Sequence, residues 1–210
     1  LAIDLSLRSL TYAKRKTEEL GLGNIEYMKA DILDLGKLDR EFDIIESSGV
    51  LHHMENPLAG WKRITKSLKQ GGLMKVGLYS ELGRTNIVKM HKEIKQQNIG
   101  ATASGMKSFR SQVVDSAQAH HKAILSSPDF YSLSALRDLL FHVQEHRFTL
   151  PKIENYLDEF GLDFCGFELD SITRHIEIKN GNVNDVYDLE RWNSFEEKNP
   201  ETFSGMYQFW

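Results

Sequence analysis

Asp4 ends the apolar run Leu1-Ala2-Ile3-Asp4-Leu5, and Asp31 stands near the end of the alternating stretch from Ile25 to Ile32. An acid at a strand end can accept hydrogen bonds from both hydroxyls of a ribose. Each such charge-assisted bond contributes roughly 1.5–3 kcal/mol. A second acid on the following strand can reach the exocyclic amine of an adenine. Ser47 and Ser48, ahead of Gly49, are small enough to let a ligand approach the backbone closely. Each feature also has a plainer use, since strand-end acids and serines often only cap a helix or turn. Their order on successive strand ends favours a ligand, because open parallel sheets bind ligands beyond the carboxyl ends of their strands.

Further polar groups follow. His52 and His53 follow the serines closely. Asp138, His142, Glu145 and His146 recur three or four residues apart, with Arg147 adjoining. That spacing suits a metal pair, but a structural hydrogen-bond network is the preferred reading, and no metal site is expected. If the segment is a lid, Tyr131, His142, His146 and Arg147 contact the substrate. Between Arg84 and Arg110 lie Arg84, Lys89, Lys92, Lys95, Lys107 and Arg110 against one acid, Glu93. The spacing there reads first as a solvated helix face and second as a surface for an anionic substrate.

The elements that must position these groups alternate cleanly at first. After the strand ending at Asp4, Ser6 or Ser9 caps a helix carrying Leu10, Ala13, Thr17 and Leu20, stopped by Gly21. Ile25–Ile32 is a second strand and Phe42-Asp43-Ile44-Ile45 a third. Asn56-Pro57 starts a helix with Leu58, Trp61, Ile64 and Leu68 on one stripe, ended by Gly71-Gly72, and Leu73 to Tyr79 is a fourth strand. Repeated strand–helix–strand units imply a parallel sheet covered by helices. From about Glu81 to Arg147 the chain turns polar and helical, with a break at Ser126-Ser127-Pro128. This stretch reads as an insertion over the sheet. Thr149-Leu150-Pro151 then opens a helix with Ile153, Tyr156, Leu157 and Phe160, closed by Gly161. Phe164 to Leu169 and Gly205 to Trp210 complete the strands.

Composition narrows the function classes. With 210 residues, 40% hydrophobic and 27% charged, the chain suits one globular domain with a sizeable core. It holds no apolar run near the roughly 20 residues a membrane helix needs. A net charge of -4 argues against a generic nucleic-acid binder. One cysteine, Cys165, excludes an internal disulfide framework and suits a reducing, cytoplasmic setting.

Ala2-Ile3-Asp4-Leu5-Ser6, Ala30-Asp31-Ile32 and Phe42-Asp43-Ile44-Ile45 run in order into Gly49-Val50-Leu51-His52-His53-Met54, then Leu68-Lys69-Gln70-Gly71-Gly72-Leu73. This series resembles the successive motifs of class I S-adenosylmethionine-dependent methyltransferases. The resemblance implies an α/β Rossmann-like fold, mostly parallel with an antiparallel last strand. It implies S-adenosylmethionine as cofactor, with Asp4 and Leu5 at the ribose and Asp31 and Ile32 at the adenine. Ser47 and Ser48 would lie near the methionine part. His52 and His53 would open the next helix, with His52 as a candidate general base. The family's glycine-rich loop and its strand would precede Ala2, so a fragment lacking the first strand is expected. Ser127-Pro128-Asp129-Phe130-Tyr131, the stretch Arg137 to Thr149 and Met206-Tyr207-Gln208-Phe209-Trp210 are similar to bacterial methyltransferases sometimes fused to tetratricopeptide repeats.

The organisation expected is a partial cofactor-binding core over 1–82, a helical lid over 83–148, and a last helix and strands over 149–210. The reaction expected is methyl transfer to a small-molecule or protein acceptor, with the acceptor and the oligomeric state left open. A nicotinamide-dependent oxidoreductase and a non-catalytic cofactor-binding or interaction module are the alternatives. The first is disfavoured by the Val-Leu-His-His motif and the absence of a recognisable hydride-transfer Tyr-Lys pair.

Overall fold

The computed structural model describes residues 1–142, 144–169 and 186–210. Val143, inside the distal motif above, lies outside them. The chain divides into two compact units, Leu1–Ser47 with Asn56–Lys75, and Ser48–Glu55 with Val76–Trp210.

In the first unit, β1 (Ala2–Asp4) pairs in parallel with β2 (Tyr27–Lys29), Asp4 standing opposite Lys29. Helix α1 (Leu7–Glu19) joins them, capped by Ser6, whose Oγ accepts the Ser9 N–H at 3.2 Å. Gly21, at φ +72°, turns the chain after the helix. Two expectations change here. The strand at Asp4 is half exposed rather than buried. The alternation Ile25–Ile32 yields only a three-residue strand, because the Asp31 carboxylate accepts the Leu33 N–H at 2.9 Å. That bond draws Ile32–Lys37 into a 3₁₀ turn.

Strand β3 (Phe42–Ser48) pairs with β4 (Leu68–Leu78), a ladder separate from β1–β2. Helix α2 (Pro57–Thr65) starts as the sequence predicts, with Asn56 Oδ1 accepting the Ala59 N–H at 3.0 Å, and it buries Trp61 and Ile64. It ends six residues before Gly71, and the two glycines fall inside β4 instead of stopping the helix. A Cβ on Gly72 would sit 2.9 Å from the Asp43 carbonyl oxygen, so that glycine lets two backbones pass closely.

In the second unit, the end of β4 pairs antiparallel with β5 (Tyr207–Phe209), in register Val76↔Phe209 and Leu78↔Tyr207. The strand expected over Phe164–Leu169 is reduced to a bridge at Phe167, opposite Phe209. Gly166, at φ +110°, breaks the extended conformation there. Helix α7 (Leu150–Phe160), closed by Gly161 in the left-handed region, packs against α8 (Leu189–Lys198). Between them in sequence and β4 come α3 (Thr85–Gln96), α4 (Ala103–Val114), α5 (Ala119–Ile124) and α6 (Leu133–Leu140). These four helices bury a core of their own around Met90, Met106, Phe109, Phe130 and Leu136. No helix of the described residues is long and apolar enough to cross a membrane.

Candidate functional site

The first unit carries Asp4, Leu5, Asp31, Ile32 and Ser47. Asp4 forms the last pair of the β1–β2 ladder with Lys29, and Asp31 lies two residues beyond Lys29. The two acids therefore leave the carboxyl ends of neighbouring parallel strands. Asp4 Oδ1 accepts the Ser6 N–H at 2.7 Å, and Asp31 Oδ1 accepts the Leu33 N–H. Each carboxylate thus spends one oxygen on its own turn and presents the other. Leu5 is exposed beside Asp4, and Ile32 begins the 3₁₀ turn. Ser47 Oγ is buried without a hydrogen-bond partner.

The second unit carries the rest. Ser48 Oγ is likewise buried without a partner. A Cβ on Gly77 would lie 2.9 Å from Ser48 Cα, so this close passage of β4 requires glycine. Gly49, at φ +74°, then turns the chain into the short 3₁₀ segment Leu51–His53. His52 is fully buried, its ring stacked 3.8 Å from that of Tyr79. His53 meets His52 edge-on at 4.4 Å and stacks on His142 at 3.8 Å.

The stretch 144–148 lies extended along this turn. His146 N–H donates to the His52 carbonyl at 2.8 Å, His53 Nδ1–H to the Gln144 carbonyl at 2.9 Å, and Phe148 N–H to the Tyr79 carbonyl at 2.9 Å. Helix α6 ends at Leu140, so Asp138, His142, Glu145 and His146 do not share a helix face as their spacing implied. Glu145 points instead to Arg84: Nη2 donates to Oε2 at 2.5 Å, and both side chains are almost wholly buried. The Arg84 guanidinium also lies 3.8 Å from the Tyr79 ring centre. Arg84, expected on a solvated basic face, is therefore a buried partner of this cluster. Arg147 Nη1 stands 3.6 Å from Glu145 Oε1, and Gln144 Nε2 donates to His146 Nε2 at 3.2 Å.

The structure gathers His142, His146 and Arg147 around His52 and His53. Tyr131 is not in this group. Its hydroxyl donates to the Leu125 carbonyl at 2.8 Å, and it borders an open cavity of about 440 Å³ with Lys107, Arg110 and Phe130. Sequence reasoning missed Tyr79, Arg84 and His91 as members of the cluster. His91 enters from α3 with a buried, unpartnered Nε2. Nothing in the local pattern marks these three, because their meeting depends on where β4 and α3 deliver them.

Electrostatics set the charge states. Burial, then the neighbouring His53, pushes His52 down to about 3, so its imidazole is neutral at physiological pH. Burial also lowers His53 and His91 and raises the Tyr79 phenol. Burial alone would raise Glu145, but the hydrogen bond and charge of Arg84 hold its carboxyl below the ordinary range.

A family profile described as a methyltransferase domain matches residues 1–76, the stretch bearing Asp4, Asp31, the two serines and the histidine turn. Residues 1–76 are therefore similar to a methyltransferase domain. The chain is 27% identical over 175 residues to an uncharacterized protein of Synechococcus sp., covering 79% of the chain and 42% of that relative. Its fold is that of PKMT2 from Rickettsia typhi in complex with AdoHcy, at a TM-score of 0.67 and 14% identity. The uncomplexed PKMT2 gives 0.66 and 15%. Both alignments cover 99% of this chain and 42% of that one. The chain thus spans 42% of the length of each of these relatives.

The residues present fit S-adenosylmethionine, the cofactor that the resemblance implies. An exposed carboxylate, Asp4, and a half-buried one, Asp31, each with an oxygen to offer, suit the hydroxyls and amine of an adenosine. Two buried, unpartnered serine hydroxyls suit a polar ligand group that would supply their missing partners.

Proposed function

We propose that the chain is part of a methyltransferase, that its first unit binds S-adenosylmethionine through Asp4, Leu5, Asp31, Ile32 and Ser47, and that the whole protein methylates a small-molecule or protein acceptor. The observation that carries the reading is the placement of Asp4 and Asp31 on the carboxyl ends of paired parallel strands, within the residues that match the family. Asp4 accepts from the ribose hydroxyls with the oxygen that Ser6 leaves open. Asp31 and the Ile32 backbone address the adenine. The bound cofactor supplies an electrophilic methyl group on a sulfonium sulfur.

The role proposed for His52 changes with its surroundings. A general base works best with a pKa near the operating pH, and a buried imidazole held near 3 is far below that. Its ring instead fixes Tyr79, and its carbonyl anchors the stretch bearing His146 and Arg147. His52 is thus a positioning residue, and His142, His146 and Arg147 address the acceptor. Positioning and exclusion of water suffice for much of an in-line displacement at a sulfonium carbon. Tyr131 borders a different, open cavity and drops out of the proposed acceptor site.

Calorimetric titration of S-adenosylmethionine and S-adenosylhomocysteine tests the reading. Asp4→Ala is expected to weaken both by about 10-fold or more, from the lost charge-assisted bonds. Equal affinity in the variant would remove Asp4 from the site. Binding of NAD in place of either compound would overturn the cofactor assignment.

A further inference from the structure

Glu93 is the one acid in the basic stretch between Arg84 and Arg110. It sits on α3 beside Lys92, yet its carboxylate turns to two histidines of α5. His120 Nε2 lies 2.5 Å from Oε1, and His121 Nε2 lies 2.7 Å from Oε2. One ligand atom from each residue falls within 4.8 Å of the others. His121 is buried, and the other two side chains are largely covered, 13% exposed for His120 and 21% for Glu93. None of the three touches the His52 cluster through a hydrogen bond or ion pair among the described residues.

We propose that Glu93, His120 and His121 form a site for a divalent transition-metal ion of the zinc type. Two imidazoles and one carboxylate are an established zinc donor set, and they leave the fourth tetrahedral position for water. Zn–N and Zn–O bonds of about 2.0–2.2 Å place neighbouring ligand atoms about 3.3 Å apart. The observed 2.5 and 2.7 Å contacts therefore need to open by less than about 1 Å, which small side-chain rotations supply. The three groups already converge on one point from two helices.

The consequence is mechanical. Helix α5 has six residues, too few to hold itself, since isolated helices shorter than about 12 residues are marginal in water. It is bound to α3 by Ile124 in the shared core and by this cluster. A bound ion would replace two hydrogen bonds with three coordinate bonds and clip α5 to α3. Sequence reading expected no metal site and did not single out His120 or His121.

The test is titration of the metal-free chain with Zn²⁺ and, separately, Co²⁺, followed by calorimetry and by the visible spectrum of the cobalt form. One ion per chain is expected, with a raised unfolding temperature and a four-coordinate cobalt spectrum. Glu93→Gln and His120→Asn should each weaken binding by about 100-fold or more, beyond the 10–100-fold lost with outer-shell partners. X-ray absorption of the zinc-loaded, unmutated chain should show two imidazoles in the first shell, and this does not depend on a variant folding. Absence of one-to-one binding would overturn the proposal. So would binding that survives both substitutions but is lost in His142→Ala, or a first shell lacking two imidazoles.

Discussion

Arg84 and Glu145 show how strongly burial governs single residues in this protein. Each is charged and nearly inaccessible, and each satisfies the other at 2.5 Å, with the Tyr79 face covering the guanidinium. Removing one partner strands the other charge in low dielectric, a cost of about 3–5 kcal/mol, whereas replacing both by apolar or neutral groups costs far less. Arg84→Met should therefore destabilise by about 3–5 kcal/mol in urea unfolding, and Arg84→Met with Glu145→Gln should recover most of it. Equal loss in the single and double variants would show that packing, not charge, is decisive. The sequence shows Arg84 only as one of several basic residues. Its partner lies 61 residues on, and no local pattern signals that pairing.

At the scale of elements, Glu196 ties α8 to the ends of β4 and β5. Ser80 Oγ donates to one carboxylate oxygen at 2.5 Å and Tyr207 Oη to the other at 2.6 Å, with Glu196 fully buried. Burial raises its pKa above 4.5 even though both hydrogen bonds pull the other way. The folded state therefore binds more protons than the unfolded state between these two values. Stability should fall as pH rises from about 4.5 through the raised value, with a slope of at most about 1.4 kcal/mol per pH unit. Thermal unfolding across pH should show this fall, and Glu196→Gln should flatten it. An unchanged profile in the variant would place the pH dependence elsewhere. Element types were largely legible: Ser6, Asn56 and Gly161 announce helix ends that the structure keeps. Strand extents were less so, because Asp31, Gly72 and Gly166 act through contacts that a period-two pattern does not register.

The whole molecule divides its apolar burial unevenly. The first unit leaves Leu5, Leu7, Tyr12, Leu20, Leu22 and Ile44 exposed and buries only a few side chains, Leu10, Leu35, Trp61, Ile64 and Met74 among them. The second holds the helical core and the aromatic group of Phe167, Trp192, Phe203 and Tyr207. Local opening costs least where few apolar contacts are buried. Native-state hydrogen exchange should accordingly be faster in β1, α1 and β2 than in α3, α4 and β5. Comparable protection in both sets would refute this ranking. Helices α3 to α6 of the second unit form a core of their own, although the stretch reads as polar in sequence. Met90, Met106 and Val113 fill it together with Phe109 and Phe130.

The sequence by itself determined the α/β class and the order of strands and helices up to β4. Those rest on local signals: strand-end acids, caps and glycines act over a few residues. Tertiary structure decided which polar groups meet. It buried His52 against Tyr79, paired Arg84 with Glu145, set Tyr131 beside a separate open cavity and brought Glu93 to His120 and His121. The reason is physical. Desolvation and pairing depend on neighbours supplied by distant parts of the chain, and spacing along one element carries no record of them.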